Sequence, residues 1–94
     1  MRAGRFTRSA EIVNQKGLHA RASRKFAEIA VTFPEVRVIV SKDGESALGH
    51  SLMDLMMLGA GFGSVIEIST EGDQAEAALD ALCALVRDRF GEEN

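Results

Sequence analysis

The stretch QKGLHARAS, Gln15 to Ser23, sets one histidine between a glycine-bearing loop and the opening turn of a helix, with an arginine two residues on. Histidine titrates near neutrality, so much of it is an uncharged nucleophile at physiological pH. Just before a helix, the His19 ring sits where backbone N–H groups lack partners and the helix dipole is positive. That setting disfavours imidazolium, keeps a nitrogen lone pair available and welcomes an arriving anion. Arg21 adds a planar cation able to grip phosphoryl oxygens, and Gly17 permits a tight loop. Each part suits a histidine that accepts a phosphoryl group covalently and releases it again. Lone histidines at helix starts more often cap the helix or face solvent, so chemistry alone leaves both roles open.

The other reactive side chains offer less. His50 reads as a surface residue rather than a ligand, and His19, His50 and Cys83 lack metal-ligand spacing, so neither a metal nor a cofactor is expected. Cys83 lies beside Leu82 in a helical pattern and reads as a small buried hydrophobe. A lone cysteine cannot form an internal disulfide, which fits a reducing cytosol.

Ninety-four residues suffice for one domain, 1–94, with a single modest core. An apolar fraction of 46% with 27% charged residues is an ordinary globular balance. The net charge of -3 and the absence of Trp and Tyr argue against nucleic acid as a partner. The segment MRAGRFTRSAEIVN has basic residues but no apolar run behind them, unlike a secretory signal. SLMDLMMLGAGFG is interrupted by Asp54 and falls short of the roughly 20 residues a membrane helix needs. A cytoplasmic protein is expected, without a membrane partner.

The elements that must position His19 follow from periodicity. Phe6 to Val13 reads as a strand with Phe6, Ala10 and Ile12 on one face; Arg8 breaks the pattern. Ala20 to Val31 is helical, with Ala22, Phe26, Ile29 and Ala30 as its apolar stripe, and Pro34 ends any helix there. Val36, Val38 and Val40 mark a second strand. KDGE, Lys42 to Glu45, predicts a two-residue hairpin turn, so Ser46 to Leu48 should return antiparallel. Ser51 to Leu58 is a short helix with Ser51 as N-cap and Gly59 as its stop. Ser64 to Thr70 is a fourth strand with Ile66 and Ile68 inward. Asp73 and Glu76 resemble a capping box that opens a last helix. That helix carries Ala75, Leu79, Leu82, Val86 and Phe90 on one side and closes at Gly91, leaving the tail GEEN as a solvated end. The order β-α-β-β-α-β-α predicts a two-layer α/β sandwich, with helices on one face of a mostly antiparallel sheet. Strand order does not follow from these patterns.

The short helix raises a question of its own. Leu52, Met53, Met56 and Met57 form one stripe, while Leu55 and Leu58 fall on the other side with Ser51 and Asp54. So short a helix cannot bury both stripes against one sheet. Methionine at helical spacing is usually core filling, yet it also suits surfaces that meet several partners.

GLHARAS resembles the active-site motif of the HPr family, the histidine-containing phosphocarriers of the phosphoenolpyruvate-dependent phosphotransferase system. SLMDLMMLG is similar to the family's second motif, and the resemblance covers the whole length. It implies an open-faced β-sandwich, a four-stranded antiparallel sheet covered on one side by three helices. It implies that His19 takes phosphate on Nδ1 from phospho-enzyme I and passes it to a histidine of an enzyme IIA component. Arg21 matches the arginine that supports the phosphohistidine, and Gly17, Ala20 and Ala22 match the phosphoryl-binding loop. Ala22 stands where proline is usual; proline in a first helical turn is worth roughly 0.4–1 kcal/mol at a compatible site, so its loss should loosen the loop slightly without removing any chemical group. Leu52, Met53, Met56, Met57 and Arg21 match the partner interface, leaving Leu55 and Leu58 as core. Ser51 matches a serine that HPr kinase/phosphorylase modifies in some bacteria. SLMDLMML looks closer to the nitrogen-branch, NPr-type relatives than to carriers dedicated to sugar uptake. A monomeric carrier rather than a stand-alone enzyme is expected. Two other classes compete: a non-catalytic ferredoxin-like regulatory or interaction module, and an RNA-contacting domain, which charge and composition disfavour. A charge shift on a native gel, after adding phosphoenolpyruvate and enzyme I, would separate a phosphocarrier from both.

Overall fold

The computed structural model describes residues 4–94. Its elements are β1 (Gly4–Glu11), α1 (Ala20–Val31), β2 (Val36–Lys42), β3 (Glu45–Leu48), α2 (Leu52–Met57), β4 (Val65–Gly72) and α3 (Ala75–Arg87), followed by a 3-10 turn at Arg89–Gly91. The sheet runs β1-β4-β2-β3 with every pair antiparallel. This is the expected four-stranded sheet with three helices. The order the pattern left open places β4 between β1 and β2, so the last strand is central.

Alternation sets the layers. Ile66 and Ile68 of β4 and Val38 and Val40 of β2 are buried, and they share one core with Phe26 and Ala30 of α1 and Leu79, Leu82 and Val86 of α3. Leu55 of α2, fully buried, completes the helical side, where α2 packs on α1 and β3. Arg8, the residue that broke the β1 pattern, reaches out to Asp80 of α3 at 3.1 Å. The β2–β3 turn forms as its Asp-Gly pair dictates, with Asp43 and Gly44 at φ of 51° and 85°.

Three expectations are corrected. β1 starts earlier and stops at Glu11, and Phe6 keeps its predicted parity but lies half exposed at the sheet's end. No capping box opens α3: its N-cap is Gln74, at φ 72° in the left-handed region, with no side-chain cap bond. A capping box needs an extended cap residue whose side chain can turn back to the first amides, which that conformation denies. Finally, α3 ends at Arg87 rather than Gly91. Phe90 is fully buried, as its place in the apolar stripe demands, but reaches the core through a left-handed turn, with Arg89 and Phe90 at φ of 57° and 55°.

Candidate functional site

His19 is the N-cap of α1, in extended backbone at φ -79° and ψ -174°. Its position is held from both sides. The Ser23 N–H donates to the His19 carbonyl at 2.8 Å, and the Ser23 hydroxyl donates to the Leu18 carbonyl at 3.1 Å. The Leu18 N–H donates to the Ala60 carbonyl at 2.8 Å, so the histidine loop leans on the loop between α2 and β4. Gly17 makes that approach possible. It sits at φ 69°, and a β-carbon there would lie 2.6 Å from the Ala60 carbonyl oxygen and 2.8 Å from the Gly61 Cα.

The two ring nitrogens have different neighbours. Nδ1 accepts a long hydrogen bond, 3.3 Å, from the Arg21 backbone N–H. Nε2 lies 2.5 Å from Oε2 of Glu92. A carboxylate accepts and does not donate, so in the neutral ring the proton belongs on Nε2 and Nδ1 carries the lone pair. His19 and Arg21 share a cleft of about 290 Å³ with Gln15, Lys16, Glu92, Glu93 and Asn94. It opens at the N-terminus of α1, where free backbone N–H groups favour an anion.

Glu92 is the functional residue that sequence reasoning missed, and it overturns the expectation of a solvated tail. Its side chain is 16% exposed. Oε1 accepts from Asn14 Nδ2 at 3.0 Å, and the fully buried Asn14 also donates to the Gly17 carbonyl at 2.8 Å. Burial would push the Glu92 carboxyl up, but the bonds from Asn14 and His19, with the charges of His19 and Lys16, more than offset this and hold it below its ordinary value. Nothing local in GEEN signals this contact. The only hint is Phe90 followed by Gly91, an aromatic at the end of the helical stripe that has to stay in the core while the chain turns.

The other predicted residues separate cleanly. Ala20 is exposed on the first turn of α1, whereas Ala22 is fully buried and its side chain belongs to the core rather than to the loop. On α2, Leu55 is fully buried and Leu58 partly so, while Met53 is 65% and Met57 77% exposed, with Leu52 and Met56 on the same open side. Ser51 caps α2 through Oγ, which accepts the Asp54 N–H at 3.2 Å. His50 is exposed and Cys83 buried. Phe62, which no sequence signal singled out, stands 66% exposed in the loop that supports Leu18.

An open-faced sandwich with a histidine at the N-terminus of its first helix, a nitrogen lone pair turned to an anion-friendly cleft, defines a class of small phosphoryl-accepting proteins. The family described as "PTS HPr component phosphorylation site" matches residues 6–88. A phosphocarrier protein HPr of Cupriavidus necator is 44% identical over 85 residues, covering 90% of this chain and 94% of that protein. A phosphocarrier protein NPr of Shewanella violacea is 40% identical over 85 residues, covering 90% and 92%. The crystal structure of HPr-C-His from Thermoanaerobacter tengcongensis superposes with a TM-score of 0.89 at 38% identity, covering 95% of this chain and 99% of that one. The chain belongs to the HPr family: it is a phosphocarrier of the phosphotransferase system.

Proposed function

We propose that residues 1–94 act as one cytoplasmic carrier domain that takes a phosphoryl group onto Nδ1 of His19 from phospho-enzyme I. The group then passes to a histidine of an enzyme IIA component, of sugar or nitrogen type. The observation that carries this reading is the asymmetry of the His19 ring: Nε2 is engaged by Glu92, while Nδ1 is turned to the helix N-terminus and held, among the described residues, only by the 3.3 Å contact with the Arg21 N–H.

In the forward step the Nδ1 lone pair attacks phosphorus as the donor's P–N bond breaks, its electron pair staying on the donor nitrogen. The phosphoryl oxygens arrive among the free N–H groups of the first turn of α1, beside the Arg21 guanidinium. Transfer onward reverses the step. The open Met-rich side of α2 gives enzyme I and enzyme IIA an apolar docking surface on a helix that packs against α1. Ser51, at the start of that helix, is the proposed target of HPr kinase/phosphorylase.

The test is incorporation of label from phosphoenolpyruvate in the presence of enzyme I. Wild type should take up an acid-labile, alkali-stable phosphate, and His19→Ala none. Label in His19→Ala would overturn the assignment. Offering the phosphorylated carrier each available enzyme IIA in turn identifies the relay by which acceptor is labelled.

A further inference from the structure

Behind the His19 ring, the C-terminal segment forms a strap whose construction exceeds what closing off a helix requires. The left-handed turn at Arg89 and Phe90 reverses the chain, and Phe90 is fully buried. Lys25 Nζ on α1 donates to the Phe90 carbonyl at 2.7 Å, and the Gln15 N–H donates to the Asn94 carbonyl at 2.9 Å. Between these anchors Glu92 meets two donors, His19 Nε2 on one oxygen and Asn14 Nδ2 on the other.

Asn14 shows that this contact is built. Both its amide hydrogens point at acceptors, the Gly17 carbonyl and Glu92, while its buried Oδ1 has no partner among the described residues. Flipping the amide would set its oxygen against two other oxygens, so the orientation is determined. A buried acceptor left unmatched is costly, and an apolar residue would avoid that cost. What the asparagine provides in return is a fixed carboxylate at the back of the imidazole.

We infer that Glu92, held by Asn14, is the positioning residue that decides which nitrogen of His19 is phosphorylated. This rests on the reading of His19 as phosphoryl acceptor and deepens it. Glu92 keeps the ring proton on Nε2, so the only lone pair available is on Nδ1, in the mouth of the cleft. When Nδ1 bonds to phosphorus, no proton leaves the ring: the Nε2 proton stays, the ring gains a positive charge, and the Glu92 carboxylate lies against it. The Arg21 N–H, released from Nδ1, is then free to bond a phosphoryl oxygen. In the return step the P–Nδ1 bond breaks to a neutral imidazole, because Nε2 has kept its proton throughout. Without Glu92 both tautomers are open, and Nε2 becomes a competing nucleophile on a side chain 27% exposed.

The test needs no protein partner. Phosphoramidate phosphorylates imidazoles, its P–N bond breaking as ammonia leaves with a proton. In a His50→Gln background His19 is the only histidine. The early product is read by 31P and 15N NMR, which distinguish Nδ1- from Nε2-phosphohistidine, and ring 15N shifts report the tautomer before reaction. With Glu92 present, Nδ1 should be favoured by roughly tenfold or more, the ratio one decade of rate provides. In Glu92→Ala, and in a chain ending at Gly91 that keeps the buried Phe90, the preference should fall toward parity and the neutral ring should populate both tautomers. A merely structural contact would lower the melting temperature and leave the isomer ratio alone. An unchanged ratio in both folded variants, or Nε2-phosphohistidine as the main product in the presence of Glu92, would overturn the inference. If the ratio collapses as expected while His19→Ala is still labelled by phospho-enzyme I, the positioning role stands and the proposed relay falls.

Discussion

The Arg21 guanidinium is exposed on the first turn of α1 beside the cleft that holds His19, and among the described residues it makes no ion pair. A cation left unengaged next to a nucleophile is available to the transferred group, whose charge spreads over three oxygens in the transition state. Arg21→Ala should slow phosphorylation of His19 by roughly ten- to a hundredfold, at the low end for a charge-stabilising donor because solvent screens an exposed group. Arg21→Lys keeps the charge but loses the planar fork and should recover only part of the rate. Rapid-quench measurement of transfer from phospho-enzyme I checks both, and wild-type rates in Arg21→Ala would make the residue a bystander. The fold should not change, since the side chain is exposed. The placing of His19 and Arg21 at the start of α1 was legible, because the loop glycine and the apolar stripe of the helix mark that start. Asn14 and Glu92 were not, because no spacing or periodicity links positions 78 residues apart in the chain.

The helix α2 divides its residues between a buried and an open side, and its short length makes the division visible. Leu55, fully buried, ties the helix to the core, and Leu55→Ala should cost roughly 2–5 kcal/mol. In a domain this size that is a fall of about 10 °C or more in Tm. Met53→Glu and Met56→Glu should do the opposite, leaving the melt near wild type while weakening enzyme I docking, measured by titration calorimetry. Melts showing Met53 and Met56 as the stability-critical pair would reverse the assignment. At the start of the helix, Ser51 is a cap whose loss to alanine should cost about 1 kcal/mol. Ser51→Asp keeps a good N-cap and sets a negative charge where the helix dipole accepts it, beside the exposed Leu52 and Met53. Its Tm should therefore stay near wild type while His19 is phosphorylated more slowly; equal rates over a range of enzyme I concentrations would remove an inhibitory role for charge at this site. Elements of this kind were readable because their determinants are local: a stripe and proline for α1, Asp-Gly for the hairpin, a serine cap and glycine stop for α2. The start and end of α3 were misread because both depend on left-handed turns at Gln74, Arg89 and Phe90, residues with no glycine-like preference for that conformation. Tertiary demands set those turns, above all the burial of Phe90.

Across the whole molecule, the site is assembled from segments far apart in sequence: the loop before α1, the loop before β4 and the C-terminal strap. Sheet order and strap docking are products of that assembly, which is why periodicity could not supply them. The strap carries its own pH dependence. The Glu92 carboxyl is held below its ordinary value of 4.5: burial opposes the charge, and the bonds from Asn14 and His19, with the charges of His19 and Lys16, prevail. A group whose folded pKa is depressed contributes stability that is fully present above its unfolded pKa and is lost as pH falls through the lower folded value. The contribution of the Glu92 carboxylate to strap docking should therefore be at full strength above pH 4.5 and weaken progressively below it, since a protonated carboxyl is a weaker acceptor for two donors. The Gln15 N–H, which donates to the Asn94 carbonyl, reports the docked strap. Its hydrogen exchange, corrected for the intrinsic pH dependence of the chemical step, should lose protection across this acid window while amides in β4 keep theirs. Glu92→Gln cannot titrate, and its single side-chain oxygen cannot satisfy both Asn14 and His19, so Gln15 should be less protected at neutral pH and show no acid step. A Gln15 amide whose protection stays flat through the window in wild type, or one that keeps the acid step in Glu92→Gln, would show that the strap is held by Phe90 and Lys25 rather than by the carboxylate.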